Sequence, residues 1–142
     1  MNQNYLNSIF LKLKEIKKNA YVPYSKFKVG AICRVNDEFY YGVNIENAAY
    51  PTGNCAERSA ICAAISKGHK KIDEVYIITD SKQIATPCGV CRQFISEFMD
   101  DDNQKIVVFN VDGDHKIYTI KELLLDRFSR NDLNDFNGGD NE

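Results

Sequence analysis

Leu6, Ile9, Phe10, Leu13 and Ile16 recur every three or four positions, with lysines and a glutamate between them. That spacing predicts an amphipathic helix, with Asn2 or Asn4 as its cap. Residues 20–27 carry Pro23 and predict an ordered loop. Residues 29–35 and 39–44 are rich in strand formers and flank Asn36-Asp37, which predicts a hairpin. Residues 45–54, broken by Pro51 and Gly53, form a second loop. From about Cys55 to Ser66 the apolar positions fall nearly all round a helix, which predicts a central, buried one. Residues 75–79 are a short continuous apolar run, as in a strand covered on both faces. A loop over 80–87 leads into a helix over 88–99, with Phe94, Ile95 and Phe98 on its inner face. Residues 106–111 read as a strand, Asp112-Gly113 as a turn, 116–119 as a returning strand and 120–128 as a last helix. This alternation predicts a three-layer α/β domain over residues 1–129. Residues 130–142 are rich in Asn, Asp and Gly and predict a disordered acidic tail.

Composition narrows the function. The chain has 142 residues, one domain's length, and a net charge of −2. Its basic residues gather only in pairs, Lys17-Lys18 and Lys70-Lys71, which suit solvated faces. Nucleic-acid and membrane partners are therefore not expected. No apolar run reaches the ~18 residues of a spanning helix. The N-terminus lacks the apolar core of a signal peptide, so a cytoplasmic location is expected. Five cysteines is an odd number, and in a reducing compartment thiols serve metals or packing more than disulfides.

Two cysteine segments carry the chemistry. Cys55-Ala56-Glu57-Arg58 opens one predicted helix, and Pro87-Cys88-Gly89-Val90-Cys91-Arg92 opens the next. A catalytic zinc takes three protein ligands and leaves a fourth position for water. Cys55, Cys88 and Cys91 are the expected ligands, and Glu57 the acid–base residue. Cys88 and Cys91 are three apart and share a helical face. At a helix N-terminus, free N–H groups and the dipole favour thiolate. Three thiolates leave the site negative and weaken zinc as an acid, so nearby cations matter. Arg58 lies one turn after Cys55 and is expected to hydrogen-bond a ligand sulfur; Arg92 follows Cys91. A structural zinc site needs a fourth protein ligand. His69 and His115 lie in polar stretches without ligand spacing and read as surface histidines. Cys33 and Cys62 fall in predicted core elements and read as small hydrophobes. The pattern also matches a known signature of zinc nucleobase deaminases, with cysteine as the first ligand.

At these residues the chain resembles the small homo-oligomeric cytidine deaminases that act on free nucleosides. The resemblance extends to Ala20-Tyr21-Val22-Pro23-Tyr24-Ser25-Lys26-Phe27, to Asn44-Ile45-Glu46-Asn47-Ala48-Ala49-Tyr50-Pro51, and to Thr86 through Gln93. It implies a three-layer α/β/α sandwich with a five-stranded mixed sheet, one Zn²⁺ per subunit and a homotetramer. It implies that Phe27 packs on the pyrimidine and that Asn44 and Glu46 bind the ribose hydroxyls. The Ala56 N–H meets the base carbonyl, and Tyr50 and Phe128 reach or close a neighbouring subunit's site. Lys28 and Leu125 stand where the family often has proline.

The implied reaction is hydrolysis of cytidine or 2′-deoxycytidine to uridine or 2′-deoxyuridine and ammonia, a step of pyrimidine salvage. Two rivals remain at this stage. One is a related deaminase acting on a nucleic-acid base or an aminonucleoside antibiotic; the absence of a basic stripe disfavours a polymer. The other is a zinc-stabilised binding module, which requires a fourth protein ligand and an incidental Glu57.

Overall fold

The structure, a computed structural model, describes residues 1–136. Its centre is a five-stranded sheet in the order β2-β1-β3-β4-β5. The strands are β1 (Val29–Val35), β2 (Glu38–Val43), β3 (Glu74–Thr79), β4 (Lys105–Phe109) and β5 (His115–Tyr118). β3 and β4 run parallel, and the other neighbours are antiparallel, so the sheet is mixed. Helix α1 (Gln3–Lys17) covers one face; α2 (Ala56–Ser66), α3 (Gly89–Ser96) and the single turn α4 (Ile120–Leu123) lie on the other side.

Strand alternation sorts the core into two layers. Ile32, Tyr76, Ile78, Val107 and Phe109 point toward Leu6, Ile9 and Leu13 of α1. Ala31, Cys33, Val75, Ile77, Ile106 and Val108 point toward Ala56, Ala60, Ile61 and Ala64 of α2 and Ile95 of α3. β3 and β4 are apolar at every central position because both their faces are covered. Asn2 caps α1, its side chain accepting from the N–H of Asn4 at 2.7 Å.

Four expectations need correction. α2 is buried on one side only: Ala60, Ile61 and Ala64 are fully buried, whereas Cys62, Ala63 and Ser66 face outward. Cys62 is therefore not a core residue. The last helix stops at Leu123 rather than 128. Thr119 and Glu122 close a capping box at its start, but Leu124 leaves helical geometry and Asp126 turns to a positive φ of 50°. Residues Arg130–Phe136, expected to lack order, form a short helix α5 with no buried residue; its start is held by Asp132, which accepts from the Ser129 N–H at 2.7 Å. Residues 137–142, the rest of the expected tail, lie outside the described residues.

The seat of α2 depends on Gly42. In β2 it faces the first turns of α2 with no side chain between. A Cβ there would lie 2.5 Å from the Ala56 carbonyl oxygen and 2.9 Å from the Ser59 Cβ, and closer still to the Ala60 nitrogen. These are largely backbone atoms of a packed helix and cannot swing aside. Gly42→Ala should destabilise by at least the ~1–3 kcal/mol typical of overpacking. Thermal melting checks this: a fall of more than about 5 °C is expected, and an unchanged melt would show that α2 can move off the sheet freely.

Candidate active site

Each of the two cysteine segments ends a loop by opening a helix. Cys55 is the N-cap of α2 and Cys88 the N-cap of α3, both in extended backbone. Ser or Asp at an N-cap spends its oxygen on a helix N–H. Neither cysteine makes such a bond, so both sulfurs stay available. Cys91 sits one turn into α3 and is fully buried.

The three Sγ atoms lie within 4.8 Å of one another. Three sulfurs at ~2.3 Å from one tetrahedral zinc lie roughly 3.8 Å apart, so the triangle fits that ion after slight contraction. Among the described residues no fourth His, Cys, Asp or Glu joins the group. Cys33 is buried on the sheet, its thiol donating to the Ala60 carbonyl at 3.3 Å. His69 is not a free surface histidine: it is half-buried and shares a 2.8 Å hydrogen bond with the Tyr40 hydroxyl. His115 begins β5, half-buried beside the Phe109 ring, rather than lying in a turn.

Charge favours a cation here. A hydrogen bond from the Cys91 thiol, helped by the Arg58 guanidinium, holds Cys55 at about 5 against the opposing effect of burial. The Arg58 Nη2 lies 3.6 Å from the Cys55 Sγ. Cys91 moves the other way, raised by its bond to Cys55 and by burial. A divalent cation competes with protons for the lone pairs of these sulfurs. Three soft donors at two helix N-termini fit zinc.

Glu57, the second residue of α2, is only 5% exposed. Burial pushes its carboxyl above the ordinary range, and the Cys55 charge pushes it further. It lines a cavity of about 480 Å³ together with Cys55, Arg58 and Cys88. Phe27, Asn44, Glu46, Tyr50 and Ala56 line the same cavity. Phe128 does not: within one chain it lies outside the cavity, 58% exposed, its carbonyl accepting from Gln93 Nε2 at 2.9 Å. Arg92 departs from its expected place beside the sulfurs. Its guanidinium is consumed by the Pro87 carbonyl at 2.7 Å, the Leu123 carbonyl at 2.6 Å and the Thr86 hydroxyl at 2.7 Å. It binds the second cysteine loop to the end of α4.

Asn44 and Glu46 do more than the sequence pattern conveyed. The Asn44 Oδ1 accepts from the Val29 N–H at 2.9 Å, and its Nδ2 donates to the Phe27 carbonyl at 2.8 Å. The Glu46 Oε1 accepts from the Tyr24 and Ser25 N–H groups, both at 3.0 Å. The Ser25 side chain, together with the Ser25 and Tyr24 N–H groups, holds the Glu46 carboxyl below its usual range. The two side chains therefore build the cavity wall that carries Phe27. No sequence signal announces this, because their partners are backbone groups. Paired hydrogen bonds between Ile45 and Asn54, each 2.9 Å, close the second loop in the same way.

The family model for the cytidine and deoxycytidylate deaminase zinc-binding region matches residues 4–109. The chain is 41% identical over 128 residues to a cytidine deaminase of Mycoplasma genitalium, covering 88% of this chain and 96% of that protein. It is 44% identical over 121 residues to a cytidine deaminase of Mycoplasma pneumoniae, covering 84% and 90%. Its fold is similar to the crystal structure of a cytidine deaminase from Burkholderia pseudomallei, with a TM-score of 0.79 and 32% identity. That likeness covers 90% of this chain and all of the other.

Removing a sulfur should separate ligands from bystanders. Cys88→Ala should lose zinc by metal analysis, as should Cys55→Ala and Cys91→Ala, since three donors are the minimum for this site. Cys62→Ala, on the outer face of α2, should keep zinc and melting temperature; Cys33→Ala should keep zinc at a packing cost. Full zinc in Cys88→Ala would remove that residue from the ligand set.

Proposed function

Because this chain belongs to the cytidine and deoxycytidylate deaminase family, we propose that its cavity takes cytidine or 2′-deoxycytidine and that Glu57 moves the protons of their hydrolysis. The products are uridine or 2′-deoxyuridine and ammonia, and the reaction serves pyrimidine salvage. One zinc per subunit is held by Cys55, Cys88 and Cys91. When bound, zinc supplies a Lewis acid that makes water nucleophilic near neutral pH.

The observation that carries this reading is a buried carboxyl in the same cavity as three thiols that no fourth protein ligand completes. Glu57 takes a proton from the attacking water and delivers it to N3 of the ring. The water oxygen forms its bond to C4. Glu57 then passes the second proton to the amino group as the C4–N bond breaks. Burial suits the carboxyl to this two-way traffic, because it weakens the preference for the charged form. Phe27 packs on the base, and the Ala56 N–H, unpaired within the first helical turn, meets the base carbonyl. Asn44 and Glu46 keep lone pairs and an N–H to spare for the ribose hydroxyls. Arg58 stabilises the Cys55 thiolate.

The cavity favours a nucleoside over a nucleotide. Arg58 is the one basic side chain among the described residues lining it, and its guanidinium is turned to the Cys55 sulfur. Glu46 adds an acid at the same wall, which repels phosphate. The same argument and the net charge of −2 disfavour nucleic acid as a substrate. No helix among the described residues is long and apolar enough to cross a membrane. The working form is a homotetramer, in which the exposed Tyr50 and Phe128 complete a neighbour's site; Tyr50 is 76% exposed in a single chain.

The fall in ultraviolet absorbance on deamination tests the substrate and the acid–base residue together. It is expected with cytidine and 2′-deoxycytidine, and not with their 5′-monophosphates or a cytosine-containing oligonucleotide. Glu57→Gln should lose ~10⁴-fold or more in rate, the top of the range for general acid–base catalysis, because one group makes two transfers. Its zinc content and tetrameric sedimentation should match wild type. Retention of more than about a tenth of the activity would mean that Glu57 is not the shuttle, and an active monomer would remove Tyr50 and Phe128 from the shared site.

A further inference from the structure

The ring of Phe27 is 41% exposed, so packing within the chain does not fix it. Its backbone does. Lys26, just before it, has a φ of 61°, a left-handed conformation that a lysine keeps only where its surroundings impose it. Three bonds impose it locally: Lys26 N–H to the Val22 carbonyl at 3.1 Å, Phe27 N–H to the Ser25 hydroxyl at 3.0 Å, and the Asn44 amide to the Phe27 carbonyl at 2.8 Å.

A fourth bond comes from the end of β3. The antiparallel ladder of β1 and β3 ends at Val29 opposite Thr79. The next rung is made by a side chain, the Asp80 Oδ2 accepting from the Lys28 N–H at 2.8 Å. Its other oxygen accepts from Lys17 Nζ at 2.7 Å, from the last turn of α1. The Lys17 side chain is only 13% exposed, so the ammonium is itself held and fixes the carboxylate from behind. Asp80 does not line the cavity. It links three rigid pieces, the end of β3, the end of α1 and the start of β1, at the residue that follows Phe27.

We propose that Asp80 is a positioning residue for the substrate base: by holding the Lys28 N–H it sets where the Phe27 ring meets the pyrimidine, without touching the substrate. The assignment rests on the reading of Phe27 as the base-packing residue. Losing the contact lets the strained loop relax, which weakens binding of the base in ground and transition states alike. The signature is therefore a rise in KM with kcat kept.

Steady-state assays with cytidine on single and double variants, each with a thermal melt, test it. Asp80→Ala should raise KM roughly tenfold while kcat falls less than about twofold. Asp80→Asn keeps an oxygen for the Lys28 N–H but loses the Lys17 ion pair, and should raise KM clearly less than alanine does. Phe27→Ala should raise KM, and adding Asp80→Ala to it should change KM by less than about twofold, because the two act through one contact. An unchanged KM in Phe27→Ala overturns both the base-packing reading and this one. A raised KM in Phe27→Ala beside an unchanged KM in Asp80→Ala overturns the Asp80 assignment alone, as do equal effects of Asp80→Ala in both backgrounds. If Asp80→Asn raises KM as far as alanine does, or if Asp80→Ala fails to fold, the carboxylate is a structural staple and the assignment falls.

Discussion

Everything at this site depends on two helix N-termini meeting at one end of the sheet. α2 and α3 both begin there with a cysteine as N-cap, and neither cap bonds to its own helix. Unpaired N–H groups and the positive ends of two helix dipoles then face the same sulfur triangle. Such a place stabilises thiolates, and the third sulfur, Cys91, follows one turn behind Cys88. The meeting point lies beyond the carboxyl end of β3, the side of an open α/β sheet where ligands bind. Gly42 sets how deeply α2 sits, so a missing side chain in β2 governs the position of Cys55 and Glu57.

Around that fixed centre the substrate wall is built by hydrogen bonds to backbone. Asn44 and Glu46 each hold N–H or carbonyl groups of the loop that carries Phe27. On the proposed reading these side chains also bind the sugar, which couples the two tasks: their loss costs shape as well as contact. Arg92 does similar work on the opposite side, tying the loop before Cys88 to the end of α4. The rigid core beneath, with Ile77 and Thr79 of β3 at the cavity's base, keeps these pieces in register.

Periodicity made the frame legible. The spacing of Leu6, Ile9 and Leu13 gave α1, the apolar run at 75–79 gave a strand covered on both faces, and 106–111 gave a further strand, which ends at Phe109 in the structure. The cysteine spacing gave the sulfur triangle. What failed follows from what one dimension omits. Ala63 and Cys62 look like core residues by type, yet they are small enough to sit on an outer helix face. α4 ends at Leu123 because tertiary bonds from Arg92 and Gln93 take carbonyls at Leu123 and Phe128, which no local propensity reports. The second roles of Asn44 and Glu46, and the rung supplied by Asp80, engage backbone groups that every residue possesses. Gly42 carried no turn signal; its value is the space it leaves for a helix that arrives fourteen residues later in the chain.

Whether the sulfur triangle holds an open, catalytic zinc or a closed structural one is measured most directly by zinc K-edge X-ray absorption on the purified protein. Three sulfur scatterers at ~2.3 Å and one oxygen scatterer nearer ~2.0 Å are expected, the oxygen being water rather than a side chain. Four sulfurs, or three sulfurs with the outer-shell pattern of an imidazole, would contradict it, because the position a reacting water needs would then belong to the protein.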